Sequence, residues 1–230
     1  YEAWSSQGIP DSCIYFLGKE DNWWGPIGNT GPCGPCSEMF YDTGKPPCGP
    51  TCRPGCSCGK YFELWNDVFM EYNKTSSGRY EFLKQKNVDT GMGVEHTAAM
   101  LEGKETVFEI GAIRPIAKKV EDVASIGLPT AVQEKSIRII TDHIRASTFF
   151  LGDERGVKPS NADRGYVLRR LIRRAIRFGR LLGIERDFLK ELAEVVITLN
   201  ETDYPLLRDK EVSIFNELSK EESKFKNTLK

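Results

Sequence analysis

Four cysteines crowd into the eleven residues Cys48-Gly49-Pro50-Thr51-Cys52-Arg53-Pro54-Gly55-Cys56-Ser57-Cys58, in a chain that holds seven in all. Three, three and one residues separate Cys48, Cys52, Cys56 and Cys58, a spacing that lets four thiolates converge on one tetrahedral zinc. A loop this rich in Gly and Pro has little core of its own, so a metal would organise it. Four sulfur ligands close the coordination sphere, which makes such a zinc structural. Two disulfides, or four reduced thiols, fit the same spacing. Cys33 and Cys36 form a separate C-x-x-C pair, the spacing of a redox couple or of half a metal site.

A second chemistry is written in Val88-Asp89-Thr90-Gly91-Met92-Gly93-Val94-Glu95-His96. The stretch reads as a strand end, a glycine-rich bend, and a helix that starts near Gly93 and passes through Leu101. Glycine has no Cβ, so backbone there can approach a small ligand closely. Asp89 presents a carboxylate at the bend, where a small cationic group could dock. Glu63-Leu64-Trp65-Asn66-Asp67-Val68-Phe69 alternates apolar and polar residues, as a half-buried strand does. Asn66 offers a donor and acceptors from it. A hairpin followed by a core helix would use the same turn residues.

The third signal is cationic. In a helix expected from about Tyr166 to Leu182, Leu168, Leu171, Ile172, Ala175 and Ile176 form one stripe. Arg169, Arg170, Arg173, Arg174, Arg177 and Arg180 fall largely beside it. With no acid among them, they make a dense anchor for phosphates, which arginine grips through a planar fork. Pairing with an acidic surface is the other use for them. Residues 1–110 carry 9 Lys+Arg against 15 Asp+Glu, and residues 111–230 carry 23 against 18. Only the second half is therefore expected to meet a polyanion.

These side chains need a scaffold. The 230 residues, 40% hydrophobic and 28% charged, suit a soluble globular protein. No apolar run reaches the ~18 residues of a membrane span. No basic-then-apolar leader follows Tyr1, so a cytoplasmic location is expected. Periodicity predicts a helix ending near Gln7, a strand over Cys13–Leu17, and a bent loop over Gly28–Glu38. It then predicts strands over Lys60–Asn73 and Tyr80–Val88, joined by the turn Ser76-Ser77-Gly78. Helices follow over 93–102, over 107–127 with a break at Arg114-Pro115, over 133–150 and over 188–200. A charged tail helix from Asp209 turns Val212, Phe215, Leu218 and Phe225 inward. His143 reads as an ordinary packed or solvated side chain.

VDTGMGVEH closely resembles motif 3 of class II aminoacyl-tRNA synthetases, in the form found in alanyl-tRNA synthetases. ELWNDVFMEYN looks like the strand before it in that family. GNTGPCGPCSE is similar to the family's GDTGPCGPCSE loop, with Asn29 in place of an Asp. NADRGYVLRRLIRRAIRFGR resembles the tRNA-binding helix, and Asp142-His143-Ile144-Arg145 matches the DHIR of the helical domain. The resemblance covers nearly the whole chain, weakly before Asn22 and after about Glu185. It implies an α+β fold: residues 1–107 as the back half of the catalytic domain, with an antiparallel sheet and helices, and residues 108–230 as an all-α tRNA-recognition domain.

The activity implied is that of an alanine–tRNA ligase. Alanine and ATP with Mg2+ form alanyl-adenylate, and the alanyl group passes to tRNA(Ala). Asp89 matches the residue that holds the alanine ammonium, Asn66 a second contact, and Val68 and Gly91 the small wall. Gly93, Glu95 and His96 fall where motif 3 meets ATP. The family ends that motif in Arg, whereas imidazole lacks the fork, so weak ATP binding is expected. Asn161 matches the residue that reads the acceptor-stem G·U pair. Arg164, Arg169, Arg170, Arg173, Arg174 and Arg177 would hold the tRNA backbone. Nothing resembles motif 1 or motif 2, which the family places before Tyr1. An N-terminal catalytic segment is therefore an expected partner, and the chain alone is expected to be inactive. Without homology, the same residues read as a zinc-stapled α+β nucleic-acid-binding module or a split subunit.

Overall fold

The computed structural model describes residues 1–228. The chain divides into two compact units, Tyr1–Val107 and Phe108–Lys230. The first opens with α1 (Glu2–Ser6) and a 3-10 turn at Asp11–Cys13. Its frame is an antiparallel sheet of β1 (Trp23–Trp24), β2 (Gly31–Asp42), β3 (Tyr61–Lys74) and β4 (Tyr80–Met92), in that spatial order. Helix α2 (Val94–Leu101) follows the last strand. Gly78, at φ +81°, makes the tight turn between β3 and β4, where Thr75 N–H donates to Arg79 O at 2.8 Å.

Three expectations for this unit are corrected. The Gly28–Glu38 stretch is a strand from Gly31 onward, not a bent loop. A Cβ on Gly34 would overlap the carbonyl oxygen of Phe69, so glycine lets β2 lie against β3 there. An irregularity in register between Cys33 and Cys36 absorbs Pro35. The bend expected at Asp89 is absent as well. Pairing with β3 continues to Met92, opposite Trp65, and the chain turns only at Gly93. Finally, Cys13–Leu17 forms no strand: Cys13 ends the 3-10 turn, Tyr15 and Phe16 are exposed, and no strand among the described residues supplies a ladder.

The second unit is helical: α3 (Arg114–Val123), α4 (Ala131–Gly152), α5 (Asp163–Leu181), α6 (Leu189–Asn200), α7 (Leu206–Asp209) and α8 (Glu211–Thr228). Pro115 does not break a helix but sits in the first turn of α3, where its missing N–H costs nothing. Thr130 and Gln133 form a reciprocal capping box that starts α4. Ile116, Val120, Ile140, Ile144, Leu168, Ile172, Ile176, Leu192 and Leu218 share one buried core. Gly179 on α5 leaves room for the ring of Phe188, which is 1% exposed. The inward stripe of α8 differs from the one expected. Leu218 is buried and Phe215 and Phe225 pack against the core as expected, but Val212 is exposed, and Ile214, Glu221 and Glu222 are buried as well, the two glutamates standing where the 3.6-residue period assigns apolar side chains.

Candidate functional site

The strand register gathers the first group of candidates. Asn66 lies opposite Glu38 on β2 and Gly91 on β4, and Val68 lies opposite Cys36 and Asp89. Paired residues share a face, as do residues two apart on a strand, so Asn66, Val68, Asp89 and Gly91 line one face of the sheet. Val68 packs in a small apolar cluster with Cys36, Met70, Trp24 and Leu83. Cys36 and Cys33 are free and buried, and burial pushes the Cys36 thiol up.

Asn66 Nδ2 donates to Glu38 Oε1 at 3.0 Å. A carboxylate accepts only, so this contact fixes which end of the amide is which. Asn66 Oδ1 is left buried with no hydrogen-bond partner. Burial, and then repulsion from Glu63, raise the Glu38 carboxyl above its usual range. Asp89 is exposed, and its Oδ1 accepts from Thr90 N–H at 2.9 Å. A buried amide oxygen, a carboxylate and a small apolar wall on one face suit a short side chain next to an ammonium group. Glu38 was not singled out from sequence; the only clue was its place in the GPCSE stretch.

Gly93 caps α2, and Glu95 lies in its first turn. A Cβ on Gly93 would press at 3.3 Å on both Glu63 O and the His96 ring. His96 Nδ1 lies 3.2 Å from Glu63 O, and its ring stacks on Phe62 with centroids 5.2 Å apart. The imidazole is thus held along β3.

The four clustered cysteines are free and lie between β2 and β3. Cys48 Sγ is 3.5 Å from Cys56 Sγ, and Cys52 Sγ is 3.7 Å from Cys58 Sγ. All four sulfurs lie within 4.8 Å of one another. A disulfide needs sulfurs about 2.05 Å apart, so none of the four is disulfide-bonded in this structure. Hydrogen bonds from its neighbours, Cys56 first, push the Cys48 thiol up to about 12. The backbone N–H of Lys60, the largest cause, brings Cys58 down to about 7. The ends of the loop are tied. Lys60 Nζ donates to Asp42 at 2.8 and 3.0 Å and to Lys45 O at 2.9 Å, and Thr43 Oγ1 donates to Gly59 O at 3.1 Å.

The arginines of α5 separate into two sets. Arg164, Arg170, Arg174 and Arg177 are exposed, and the guanidinium of Arg174 lies 5.7 Å from the centre of the Phe178 ring. Arg169 and Arg173 turn inward to the buried Glu221, at 3.5 and 3.4 Å. Arg180 donates to Ile184 O at 2.8 Å. At the start of the helix the loop folds back tightly. Ser160 N–H donates to Gly165 O at 3.0 Å, and a Cβ on Gly165 would come within 2.6 Å of Lys158 O. Asn161 is exposed, with its Oδ1 accepting from an Arg169 guanidinium N–H. His143 is buried within α4 and contacts Asp142 Oδ2 at 2.8 Å.

The family described as tRNA synthetases class II (A) matches residues 1–230. Among curated proteins, the alanine–tRNA ligase of Treponema pallidum is 51% identical over 229 residues, covering 99% of this chain and 38% of its own length. That of Treponema denticola is 54% identical over 214 residues, 92% of this chain and 35% of its own. The alanine–tRNA ligase of Clostridioides difficile is 46% identical over 233 residues, spanning all of this chain and 26% of its own.

Proposed function

We propose, since this chain belongs to the class II tRNA synthetase (A) family, that it supplies the alanine pocket and the acceptor-stem-reading unit of an alanine–tRNA ligase. The chain spans under two fifths of the length of the relatives it matches. The observation that carries the pocket is the buried, unpartnered Oδ1 of Asn66 on the same sheet face as Asp89. An alanine ammonium would donate to both, and Val68 and Gly91 would leave room for one methyl group. Such a wall discriminates weakly against glycine or serine. Class II chemistry would then work by positioning: Gly93, Glu95 and His96 would hold ATP with Mg2+, the alanine carboxylate would displace pyrophosphate at the α-phosphate, and the tRNA hydroxyl would take the acyl group from the adenylate with release of AMP. With its Nδ1 beside Glu63 O, His96 offers ATP one ring nitrogen in place of an arginine fork.

Asn161 would read the acceptor-stem G·U pair, and Arg164, Arg170, Arg174 and Arg177 would hold the phosphates. Cys48, Cys52, Cys56 and Cys58 would bind a structural zinc, whose chemistry is to pin the β2–β3 connection. The fit is metric: tetrahedral Zn–S bonds of about 2.3 Å put sulfurs about 3.8 Å apart, close to the 3.5 and 3.7 Å seen. The free edge of β4, with Phe82 and Val88 71% and 61% exposed, is where an N-terminal catalytic segment would pack. No helix among the described residues is long and apolar enough to cross a membrane, and we place the chain's work in the cytoplasm with its tRNA.

A second reading is a tRNA-binding module without catalysis, favoured by the exposed arginines of α5, which need nothing from the sheet. Alanine-dependent ATP–pyrophosphate exchange, run beside filter binding of a G·U acceptor-stem hairpin, tests both. The expected outcome is binding without exchange by the chain alone. Exchange should appear on adding an N-terminal catalytic segment and vanish again with Asp89→Ala. Exchange by the chain alone would overturn the proposed need for motifs 1 and 2. Exchange that survives Asp89→Ala would overturn the pocket.

A further inference from the structure

The arginine row on α5 contains an internal contradiction as a phosphate anchor. Two of its members, Arg169 and Arg173, are spent on a buried carboxylate. Glu221 is 2% exposed and reaches across from α8 to both, and Lys224 adds a third cation at 3.4 Å. Burying a carboxylate costs free energy unless charges surround it, so the arrangement fixes the guanidinium groups as firmly as it neutralises the acid. Arg173 donates to Glu221 Oε2 through Nε. Arg169 is held differently. Its Nε faces Glu221 Oε1 at 3.5 Å, an ionic contact and not a hydrogen bond, and that Nε is buried without a hydrogen-bond partner. Its two outer nitrogens point the other way, into the loop before α5: Nη1 donates to Asn161 Oδ1 and Nη2 to Pro159 O at 3.1 Å. One guanidinium therefore spans from a buried acid on α8 to the exposed amide of Asn161. That contact orients the Asn161 amide on its exposed loop.

We propose that Glu221 is a positioning residue for acceptor-stem recognition: through Arg169 it fixes the amide of Asn161 in the orientation that reads the base pair. The proposal rests on the reading of Asn161 given above. It assigns Arg169 to holding the reading side chain and leaves backbone contact to Arg164, Arg170, Arg174 and Arg177. Glu221 touches no RNA; it acts forty-eight residues away from Arg173 and sixty from Asn161 in sequence, through one packed interface.

The test compares the complete 230-residue chain with variants, binding two acceptor-stem hairpins that differ only in a G·U or G·C pair. The readout is the ratio of the two dissociation constants, which general loosening of the fold would not shift selectively. Glu221→Gln should shrink the G·U preference about tenfold, the scale of one base-edge contact, while binding to the G·C hairpin changes little. Arg169→Lys keeps a cation for Glu221 but cannot also bridge to Asn161 and Pro159. It should lose the same preference, and it serves if Glu221→Gln unfolds. Asn161→Ala separates the two levels. If it abolishes the preference while Arg169→Lys and any folded Glu221→Gln retain it, the positioning role is overturned and the reading of Asn161 stands. If Asn161→Ala leaves the preference intact, the reading itself falls and the positioning role with it.

Discussion

Removing one sulfur from the cysteine cluster tests the metal directly, and the geometry sets the size of the effect. Four sulfurs at the corners of a tetrahedron with bonds of about 2.3 Å stand about 3.8 Å apart. Two pairs here are 3.5 and 3.7 Å apart and none exceeds 4.8 Å, so closure on zinc asks for about 1 Å of movement or less at any sulfur. Structural zinc binds such peptides with an apparent ~10–16 kcal/mol. Shared over four ligands, that is about 3 kcal/mol each, so Cys56→Ser should weaken zinc by roughly a hundredfold or more. Freshly purified chain should carry one zinc. Competition with a chromophoric chelator gives its affinity, and cobalt substitution should give thiolate charge-transfer absorption. Protons compete for the same sulfurs, so affinity should fall as pH falls. Cys58, with a thiol near 7, adds one displaced proton per metal below about pH 7 that is not displaced above it, so the pH slope should steepen there. Chain isolated without zinc, or Cys56→Ser binding zinc as tightly as the parent, would refute the reasoning.

Glu38→Ala removes the acceptor that orients Asn66. A hydrogen bond to a charged group is worth ~1.5–3 kcal/mol, so in a complete ligase the KM for alanine should rise about tenfold or more, with kcat changed less. An unchanged KM would separate Glu38 from the pocket. Glu222, buried on α8, accepts from Phe188 N–H at 3.0 Å and Leu189 N–H at 3.2 Å, and burial raises its carboxyl above the ordinary 4.5. A raised carboxyl is a penalty on the ionised form. The penalty is absent below pH 4.5, where folded and unfolded chains are both protonated, and it grows as pH rises through the folded value. Glu222→Gln keeps an acceptor for both N–H groups and carries no charge, so its stability relative to the parent should improve from pH 4 to pH 7. Thermal unfolding of both proteins across that range would show it, and a difference that shrinks with pH would contradict the assignment.

The readable parts of this molecule are those whose causes lie within a few residues. The boundaries of α4 and α6 came within about two residues of their apolar periods, and four cysteines in eleven residues announced their own convergence. The α5 helix was visible too, because its stripe repeats locally. Strand status is different, since it depends on what lies across the sheet. GPCGPC has the composition of a loop, and only the Phe69 carbonyl, which leaves Gly34 no room for a side chain, shows why β2 can lie where it does. The same rule divides the candidate site. Asn66, Asp89 and Asn161 stand inside recognisable words of sequence. Their supports do not: Glu38 meets Asn66 across 28 residues of chain, and Glu221 meets Arg173 across 48. A glutamate at a helix position expected to be apolar looks like surface until the fold shows two arginines closing over it. Sequence therefore exposes the groups that would touch a substrate sooner than the groups that aim them. The buried glutamates of α8 are where the motif-based reading and the structure differ most in what they assign.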